Sequence, residues 1–255
     1  MSKTILHRTY LLLMTCLFIL AGVFLFSSFS TKPAGNGKLK IVFVNTANGK
    51  PIVLRDSVYS NAFGEQYSIS KLKYYISHTT IPGSRQLPEA DPYHLINAMN
   101  DENSYEIELQ AGNYDNISFL LGVDSASNCS GAQAGALDPM NDMFWTWNSG
   151  YVVFKLEGTS PSSSADLQRI ELHIGGYKGE DNVSKLIRLS LKDAYTLHIR
   201  ENQTTELRIE TNLDHFWKGP NDIKISETPL CMATGKLARK VSINFENLFS
   251  VTTVK

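Results

Sequence analysis

The chain has few cysteines, and this limits what disulfides can contribute to its fold. Three cysteines occur in 255 residues, and one of them, Cys16, lies inside an apolar N-terminal run. Cys129 and Cys231 remain for the body of the protein. They form either one disulfide or two free thiols, because the sequence does not show whether their backbones lie close enough to be bridged.

The chain also lacks a basic excess and the short motifs that mark common enzyme sites. Its net charge of −1 at pH 7 argues against a nucleic-acid partner, because nucleic-acid binding calls for a basic surface. It contains no G-x-S-x-G, no H-E-x-x-H and no phosphate-binding G-x-x-x-x-G-K-[ST]. We therefore expect neither a nucleic-acid partner nor an enzyme.

What the chain does have at its start is the layout of a secretory signal. Lys3 and Arg8 precede an uncharged apolar run over residues 10–29, and this order is typical of export signals. The run is also long enough to span a bilayer. Residues 1–30 are thus either a signal peptide or a membrane anchor, and residues 31–37 a linker. In both cases we expect an exported protein, in the periplasm or at the cell surface, that contacts the membrane only through this segment.

Residues 38–255 consist mainly of short alternating runs, which predict an all-β fold. The pattern favours one domain, an antiparallel β-sandwich with long loops and one short C-terminal helix. In residues 67–80, period-two alternation places Leu72, Tyr74, Ile76 and His78 on one inward face. The helix is predicted within residues 236–249, where apolar residues recur at helical spacing.

Three hairpins are predicted from turn residues between the alternating runs. Asn48-Gly49 separates residues 39–44 from residues 51–54, and Asn-Gly is a strong hairpin signal. A second hairpin would pair residues 105–109 with 114–123. A third would pair residues 184–191 with 195–200.

The most unusual stretch is residues 138–158, DPMNDMFWTWNSGYVVFKLEG, at the end of a long irregular connection over residues 124–150. It contains Trp145 and Trp147, one residue apart. Side chains of this size must either pack on the protein or bind a ligand, because each carries a large apolar area. Long connections inside a domain are commonly functional.

This stretch also carries a resemblance to a known family. The pattern M-F-W-x-W-x-x-G-Y, from Met143 to Tyr151, resembles the signature of the MbnP-like copper-binding proteins. The segments LKYYIS at residues 72–77 and LHIGG at residues 172–176 agree with it at the expected places. The resemblance covers most of the chain after about residue 38. It implies a secreted or surface β-sandwich that binds copper.

The resemblance further implies a copper site built from two histidines and a kynurenine. A partner di-haem peroxidase of the MauG type would form the kynurenine from Trp145 or Trp147, with Trp145 favoured. His78 is the candidate for the histidine on the earlier strand. In the long loop, the family has an Asn-His pair where this chain has Asn128-Cys129. Cysteine can bind copper as a thiolate, so the site in this chain is either thiolate-based or lost.

Several further residues are candidates, each with a plainer structural alternative. His173 lies in the His-Ile-Gly-Gly segment and is either a ligand or a histidine that bonds the turn. Met140 and Met143 form a Met-x-x-Met that suits Cu(I), or they fill gaps around the tryptophans.

The competing functional hypothesis is a surface binding module that contains no metal. Trp145, Trp147 and Tyr151 would then form an aromatic platform for a glycan or peptide. The plainer alternative is that both tryptophans simply pack in the fold.

Overall fold

The computed structural model describes residues 35–100, 103–131, 133–146, 149–191 and 195–255. The predicted signal or anchor over residues 1–30 lies outside the described residues, as does Trp147. The linker prediction for residues 31–37 ends too late, because the first strand already begins at Asn36. In the described part of the chain, no helix is long and apolar enough to cross a membrane.

Strands dominate the fold, and short helices occur only in the connections. The strands are β1 (Asn36–Ala47), β2 (Lys50–Pro51), β3 (Val58–Ser60), β4 (Gln66–Thr80), β5 (Tyr93–Asn97), β6 (Ser104–Gln110), β7 (Gly112–Tyr114), β8 (Asn116–Leu121), β9 (Phe144–Thr146), β10 (Gly150–Thr159), β11 (Arg169–Gly175), β12 (Lys185–Ser190), β13 (Leu197–Ile199), β14 (Thr204–Asn212), β15 (Leu230–Cys231) and β16 (Phe249–Val254). The helices are α1 (Ser125–Cys129), α2 (Asp214–Trp217) and α3 (Lys236–Ile243).

Two curled sheets form a sandwich-like fold, which confirms the all-β prediction. The larger sheet has the order β12-β8-β4-β10-β11-β15, with β3 and β5 also paired to β4 and β9 to β10. The smaller sheet has the order β16-β14-β1-β2, and β6 pairs with β1. Most pairs are antiparallel, but β1 runs parallel to β14 and β11 parallel to β15.

The hairpin predictions succeed only where the turn itself specifies the pairing. The Asn48-Gly49 turn joins β1 to β2, with both turn residues at positive φ, although β2 has only two residues. The second and third predicted hairpins are wrong. Strand β6 pairs with β1, whereas β8 pairs with β4 and β12, and β13 pairs with β7. Alternation reports which face of a strand is buried, and it contains no information about the partner strand.

The main core lies between the two sheets and is rich in aromatic rings. Tyr74 of β4 stacks on Phe154 of β10 with ring centroids 5.3 Å apart, and Phe43 and Phe249 of the smaller sheet meet Tyr74 edge-on. The C-terminal helix α3 is confirmed but ends at Ile243, before a 3-10 turn and β16.

A second, smaller cluster lies on the opposite face of the larger sheet. We call it the outer cluster; its buried members are Tyr75, Val123, Leu137, Met143, Tyr151 and Val152. Tyr74 and Tyr75 are successive residues of β4, so their side chains point to opposite faces of the sheet. The long loop over residues 124–150 therefore packs on the face that the main core leaves open.

Candidate functional site

The long loop is fastened to the larger sheet by two buried tyrosines. Tyr75 of β4 donates a hydrogen bond to the carbonyl of Ala136 at 2.9 Å, and Tyr151 of β10 donates to the carbonyl of Leu137 at 2.7 Å. The rings of Tyr75 and Tyr151 meet edge-on with centroids 5.8 Å apart. Because Tyr151 is buried, it is not available to an exposed aromatic platform, and that part of the platform hypothesis is wrong.

Trp145 joins the tryptophan block to the LHIGG segment. Its indole lies against Gly175 of β11, where an added Cβ would come within 2.8 Å of Trp145 Cζ3. A Cβ at this position would also lie 2.9 Å from the carbonyl oxygen of Tyr151. The glycine is thus required by the tryptophan that covers it, so the two motifs meet in space. Trp145 is half-buried at the edge of the outer cluster.

Asn128 holds the start of the loop to its end. Its amide donates to the carbonyls of Val123 and Asp124, at 2.9 and 3.0 Å, and its Oδ1 accepts from the amide of Tyr151 at 2.9 Å. Gly150 has φ +73°, and a Cβ there would lie 2.3 Å from Asn128 Oδ1. Asn128 therefore contacts both Gly150 and Tyr151 of the tryptophan motif. The spacing of these residues along the chain did not indicate this contact.

Beside the outer cluster, two lysines of the sheet bind one loop carboxylate. Asp142 Oδ2 lies 2.8 Å from Lys71 Nζ and 3.0 Å from Lys155 Nζ. Burial alone would raise the pKa of Asp142, but the hydrogen bonds from Lys71 and Lys155 outweigh it and lower that pKa to about 2. The loop is thus held to the sheet by charge as well as by apolar contact.

His173 belongs to the same charged network. Its Nε2 lies 2.9 Å from Glu157 Oε1, and Glu157 in turn lies 3.2 Å from Lys71. The hydrogen bond from His173 is the largest cause of a lowered pKa at Glu157. The imidazole is buried beside Lys155 on the neighbouring strand. His173 is thus a hydrogen-bonded histidine, as its structural alternative predicted. Its partner is Glu157, however, and not the glycine-bearing turn.

His78 is exposed, which corrects the prediction that it points inward. A β-bulge in the pairing of β4 with β8 falls between Ser77 and Thr80, and His78 has φ +50°. The bulge reverses the alternation, because the buried face continues from Ile76 to Thr79 and not to His78. The side chain of His78 is 46% exposed.

His78 belongs to a compact polar cluster at the start of α1. Its Nε2 lies 3.0 Å from Asp124 Oδ2, and Tyr93 donates to the same oxygen. The other oxygen of Asp124 caps α1 by accepting from the amides of Ala126 and Ser127, at 2.9 and 3.0 Å. Burial would raise the pKa of Asp124, but the hydrogen bonds from Tyr93, His78 and the two amides lower it well below its usual range.

Asp124 and Tyr93 were not among the site residues predicted from the sequence. An aspartate directly before a short helix is an N-cap signal, so Asp124 was detectable as a cap. Its second contact, to His78 on a distant strand, had no signal in the spacing of residues.

The sulfur candidates occupy separate environments. Cys129 is exposed at the end of α1, with Sγ 3.8 Å from the Tyr177 hydroxyl, while Cys231 is buried, and both are free thiols. The disulfide alternative is therefore wrong for this fold. Met140 is 89% exposed, whereas Met143 is fully buried in the outer cluster. The Met-x-x-Met spacing thus does not place two thioethers in a common environment.

Of the metal ligands predicted from the sequence, His78 and Cys129 remain as candidate donors. Within the described residues, no three side chains of His, Cys, Asp or Glu are grouped as a metal site. His78 uses Nε2 in its contact with Asp124 and has no hydrogen bond through Nδ1 to any described residue. An imidazole nitrogen and a thiolate are donors of the kind that copper prefers. The donor chemistry fits copper, although only with further ligands.

Comparison with known proteins places the chain in a family. The family model described as MbnP matches residues 36–233, and this family is associated with methanobactin and copper. The chain is similar to the solved structure of MbnP from Methylosinus trichosporium, at 14% sequence identity and a TM-score of 0.47 over 74% of this chain and 80% of that one. No curated protein matches the chain. The family model extends over most of the described residues, and the protein therefore belongs to the MbnP family.

Proposed function

We propose that this protein is an exported copper-binding protein without enzymatic activity, with His78 as its principal ligand. The observation that carries the proposal is the state of the His78 imidazole. It is exposed, it is held through Nε2 by Asp124, and it has no hydrogen bond through Nδ1 to the described residues. Membership in a family associated with copper supports the same conclusion.

Cys129 is the second protein donor in this proposal. It occupies the position of the loop histidine that the family resemblance implies, and its thiol is exposed. Asp124 and Cys129 lie at opposite ends of α1, about 7.5 Å apart along the helix axis. Because α1 separates Cys129 from the histidine that Asp124 contacts, a further ligand between the two donors is needed to complete the site. We leave His173, Met140 and Met143 out of the ligand set, because His173 is bonded to Glu157 and the two methionines occupy unlike environments.

We propose a kynurenine formed from Trp145 or Trp147 as that further ligand. Kynurenine carries an aromatic amine and a carbonyl, and these polar atoms are absent from indole. In its formation, two equivalents of peroxide would supply one oxygen atom to each carbon of the indole C2–C3 double bond, which is cleaved, and would be reduced to two waters. Hydrolysis of the resulting N-formyl group by one water then releases formate. A partner di-haem peroxidase of the MauG type would supply this oxidation. The mass of the mature protein from its own host tests the proposal, since it reports both tryptophan oxidation and removal of residues 1–30.

The test of the copper site is a set of matched variants. Cu(I) is titrated anaerobically, against a competing chelator, into wild type, His78→Ala and Cys129→Ser, each isolated from the protein's own host so that any tryptophan oxidation is present. The control is His198→Ala, because His198 is also exposed and its Nδ1 is bonded to the Asn113 side chain and not to a carboxylate. We expect the His78 variant to lose at least about tenfold in affinity, roughly 1.4 kcal/mol, while the control does not change. Equal, weak binding by every variant and by wild type would refute the copper site.

The pH dependence of binding gives a second readout. Binding should weaken as the pH falls, because protons compete with the metal for the imidazole and thiolate donors. Affinity that does not vary between neutral and mildly acidic solution would show that neither His78 nor Cys129 is a ligand.

A further inference from the structure

His78 and α1 meet at a single carboxylate. From this contact we infer that Asp124 is the positioning residue of the site: it holds the proton of His78 on Nε2, leaves Nδ1 as the ligand atom, and ties α1, which carries Cys129, to the same imidazole. The inference rests on the proposed function only for the identity of the metal. The orientation of His78 is a property of the metal-free protein and is tested there.

The contact with Asp124 determines which ring nitrogen of His78 carries the proton. An ionised carboxylate only accepts hydrogen bonds, so His78 must donate to Asp124 Oδ2 through Nε2–H over their 3.0 Å separation. A neutral imidazole with its proton on Nε2 has its lone pair on Nδ1. The ligand atom is therefore Nδ1, the nitrogen that makes no hydrogen bond to the described residues.

The orientation of the Asp124 carboxylate is fixed by its hydrogen bonds. Both of its oxygens are in use, one for the amides of Ala126 and Ser127 and the other for His78 and Tyr93. The Tyr93 hydroxyl also lies 2.5 Å from Ser127 Oγ. Rotation of the carboxylate would break the cap of α1 together with its contacts to two strands. The helix and the imidazole are therefore held by the same group.

The backbone conformation of His78 also determines the direction of its imidazole. A φ of +50° is unfavourable for a residue with a Cβ. Such a conformation persists only where the surroundings enforce it, and bulges of this kind re-aim a side chain. Here the bulge turns the imidazole out of the core and against Tyr93, edge-on with ring centroids 5.4 Å apart. Strain, packing and hydrogen bonding thus all hold the ring in one orientation.

Together these contacts form the pattern of a carboxylate that orients a metal-binding histidine. Such carboxylates fix the tautomer and make the ligating nitrogen more basic, and their loss costs about 10- to 100-fold in metal affinity. Asp124 is not itself proposed as a ligand. Its effect on copper would act through His78.

The decisive variant is Asp124→Asn, because asparagine caps helices as well as aspartate does and so preserves α1. The matched control is Asp56→Asn, an exposed aspartate in a different part of the chain. The first readout is the tautomer of His78 in the metal-free protein, measured by nitrogen NMR of the imidazole. We expect Nε2–H in wild type and in the control, and a mixture or Nδ1–H in Asp124→Asn.

The second readout is Cu(I) affinity, measured against a competing chelator. We expect Asp124→Asn to lose about 10- to 100-fold and Asp56→Asn to match wild type. Tyr93→Phe removes one restraint but keeps the carboxylate, so it should retain the tautomer and lose less than about tenfold. If Asp124→Asn does not fold, the wild-type tautomer and Tyr93→Phe still decide the question.

The outcomes separate this inference from the proposed function. A wild-type His78 with its proton on Nδ1 overturns the inference, whatever the copper affinity. An Asp124→Asn protein with the wild-type tautomer and affinity overturns it as well. If the tautomer changes as expected but wild type binds no Cu(I), the proposed function fails and Asp124 stands as the residue that orients His78.

Discussion

The two faces of the larger sheet are stabilised in different ways. The inner face is covered by the smaller sheet and is mainly apolar and aromatic. The outer face is covered by one loop, and beneath it the outer cluster lies beside a network of lysines and carboxylates. Strand β4 shows the contrast in single residues: Leu72 and Tyr74 enter the main core, while Lys71 and Lys73 support the loop.

The difference indicates that the two faces contribute to the stability of the fold through different interactions. Apolar burial between the sheets supplies most of the stability, because the favourable free energy scales with the area removed from water. The outer face gains less apolar area and relies on specific anchors, such as the Tyr151 hydroxyl and the Asp142 carboxylate. The residues of the tryptophan motif, including Trp145 and Gly150, lie on this outer face.

The largest effect is expected for the inner face. Phe154→Ala removes a fully buried ring that contacts Tyr74 and Phe216, and should lower the free energy of unfolding by about 3–5 kcal/mol. Urea denaturation measures the change. The control is Leu167→Ala, which should stay within about 0.5 kcal/mol because Leu167 is 86% exposed. If the Phe154 variant were as stable as this control, apolar burial on the inner face would not be the main source of stability.

A smaller effect is expected where the tryptophan lies on the sheet. Gly175→Ala places a methyl group 2.8 Å from Trp145 Cζ3, so the indole must move. We expect a loss of about 1–3 kcal/mol in urea denaturation and a red shift of tryptophan fluorescence.

A double-mutant cycle shows whether this loss acts through the indole. If it does, Gly175→Ala should cost much less in a Trp145→Ala background. Additive losses would mean that the methyl group instead disturbs the carbonyl of Tyr151, which lies 2.9 Å from the same point.

The charged anchor should contribute less still, and its contribution should depend on pH. The pKa of Asp142 is lowered to about 2 in the folded protein. Its stabilising effect is therefore complete above the ordinary carboxyl pKa, near about 4, and is lost as the pH falls toward about 2. Asp142 is 59% exposed, which limits the effect to below about 1 kcal/mol.

The test is the stability difference between wild type and Asp142→Asn across this acidic range. The difference should be present at neutral pH and shrink as the solution is acidified, whereas Asp56→Asn should show no such trend. A difference that grows on acidification would contradict the direction of the pKa change.

The smallest effect on stability is expected from reducing agents. Cys129 and Cys231 are both free, so a reductant should leave the melting temperature unchanged. The two thiols should nevertheless differ in reactivity, because Cys129 is exposed and burial raises the pKa of Cys231. Alkylation followed by mass spectrometry should label Cys129 in the native protein and Cys231 only after unfolding. Equal labelling rates would show that β15 does not protect its thiol.

The sequence predicts well those features that depend on local patterns. The alternation of β4, the Asn48-Gly49 turn and the spacing of α3 each report the local backbone and the face that is buried. The tryptophan motif likewise indicates the family, because its residues are contiguous along the chain. Features that depend on two distant segments were wrong or missed, among them the two longer hairpins and the link from Asp124 to His78.

His78 shows where prediction from the sequence ends. Its strand and its chemistry follow from the amino acids alone, but its direction does not, because a single bulge reverses the alternation and turns the side chain to solvent. The all-β class, the buried face of β4 before its bulge and the family motif were determined by the sequence. Only the tertiary structure decided that Asn128 binds Gly150-Tyr151, that Trp145 covers Gly175 and that Asp124 holds His78. Each of these contacts forms between segments far apart in the chain, and residue patterns within one segment do not encode the packing that brings two segments together.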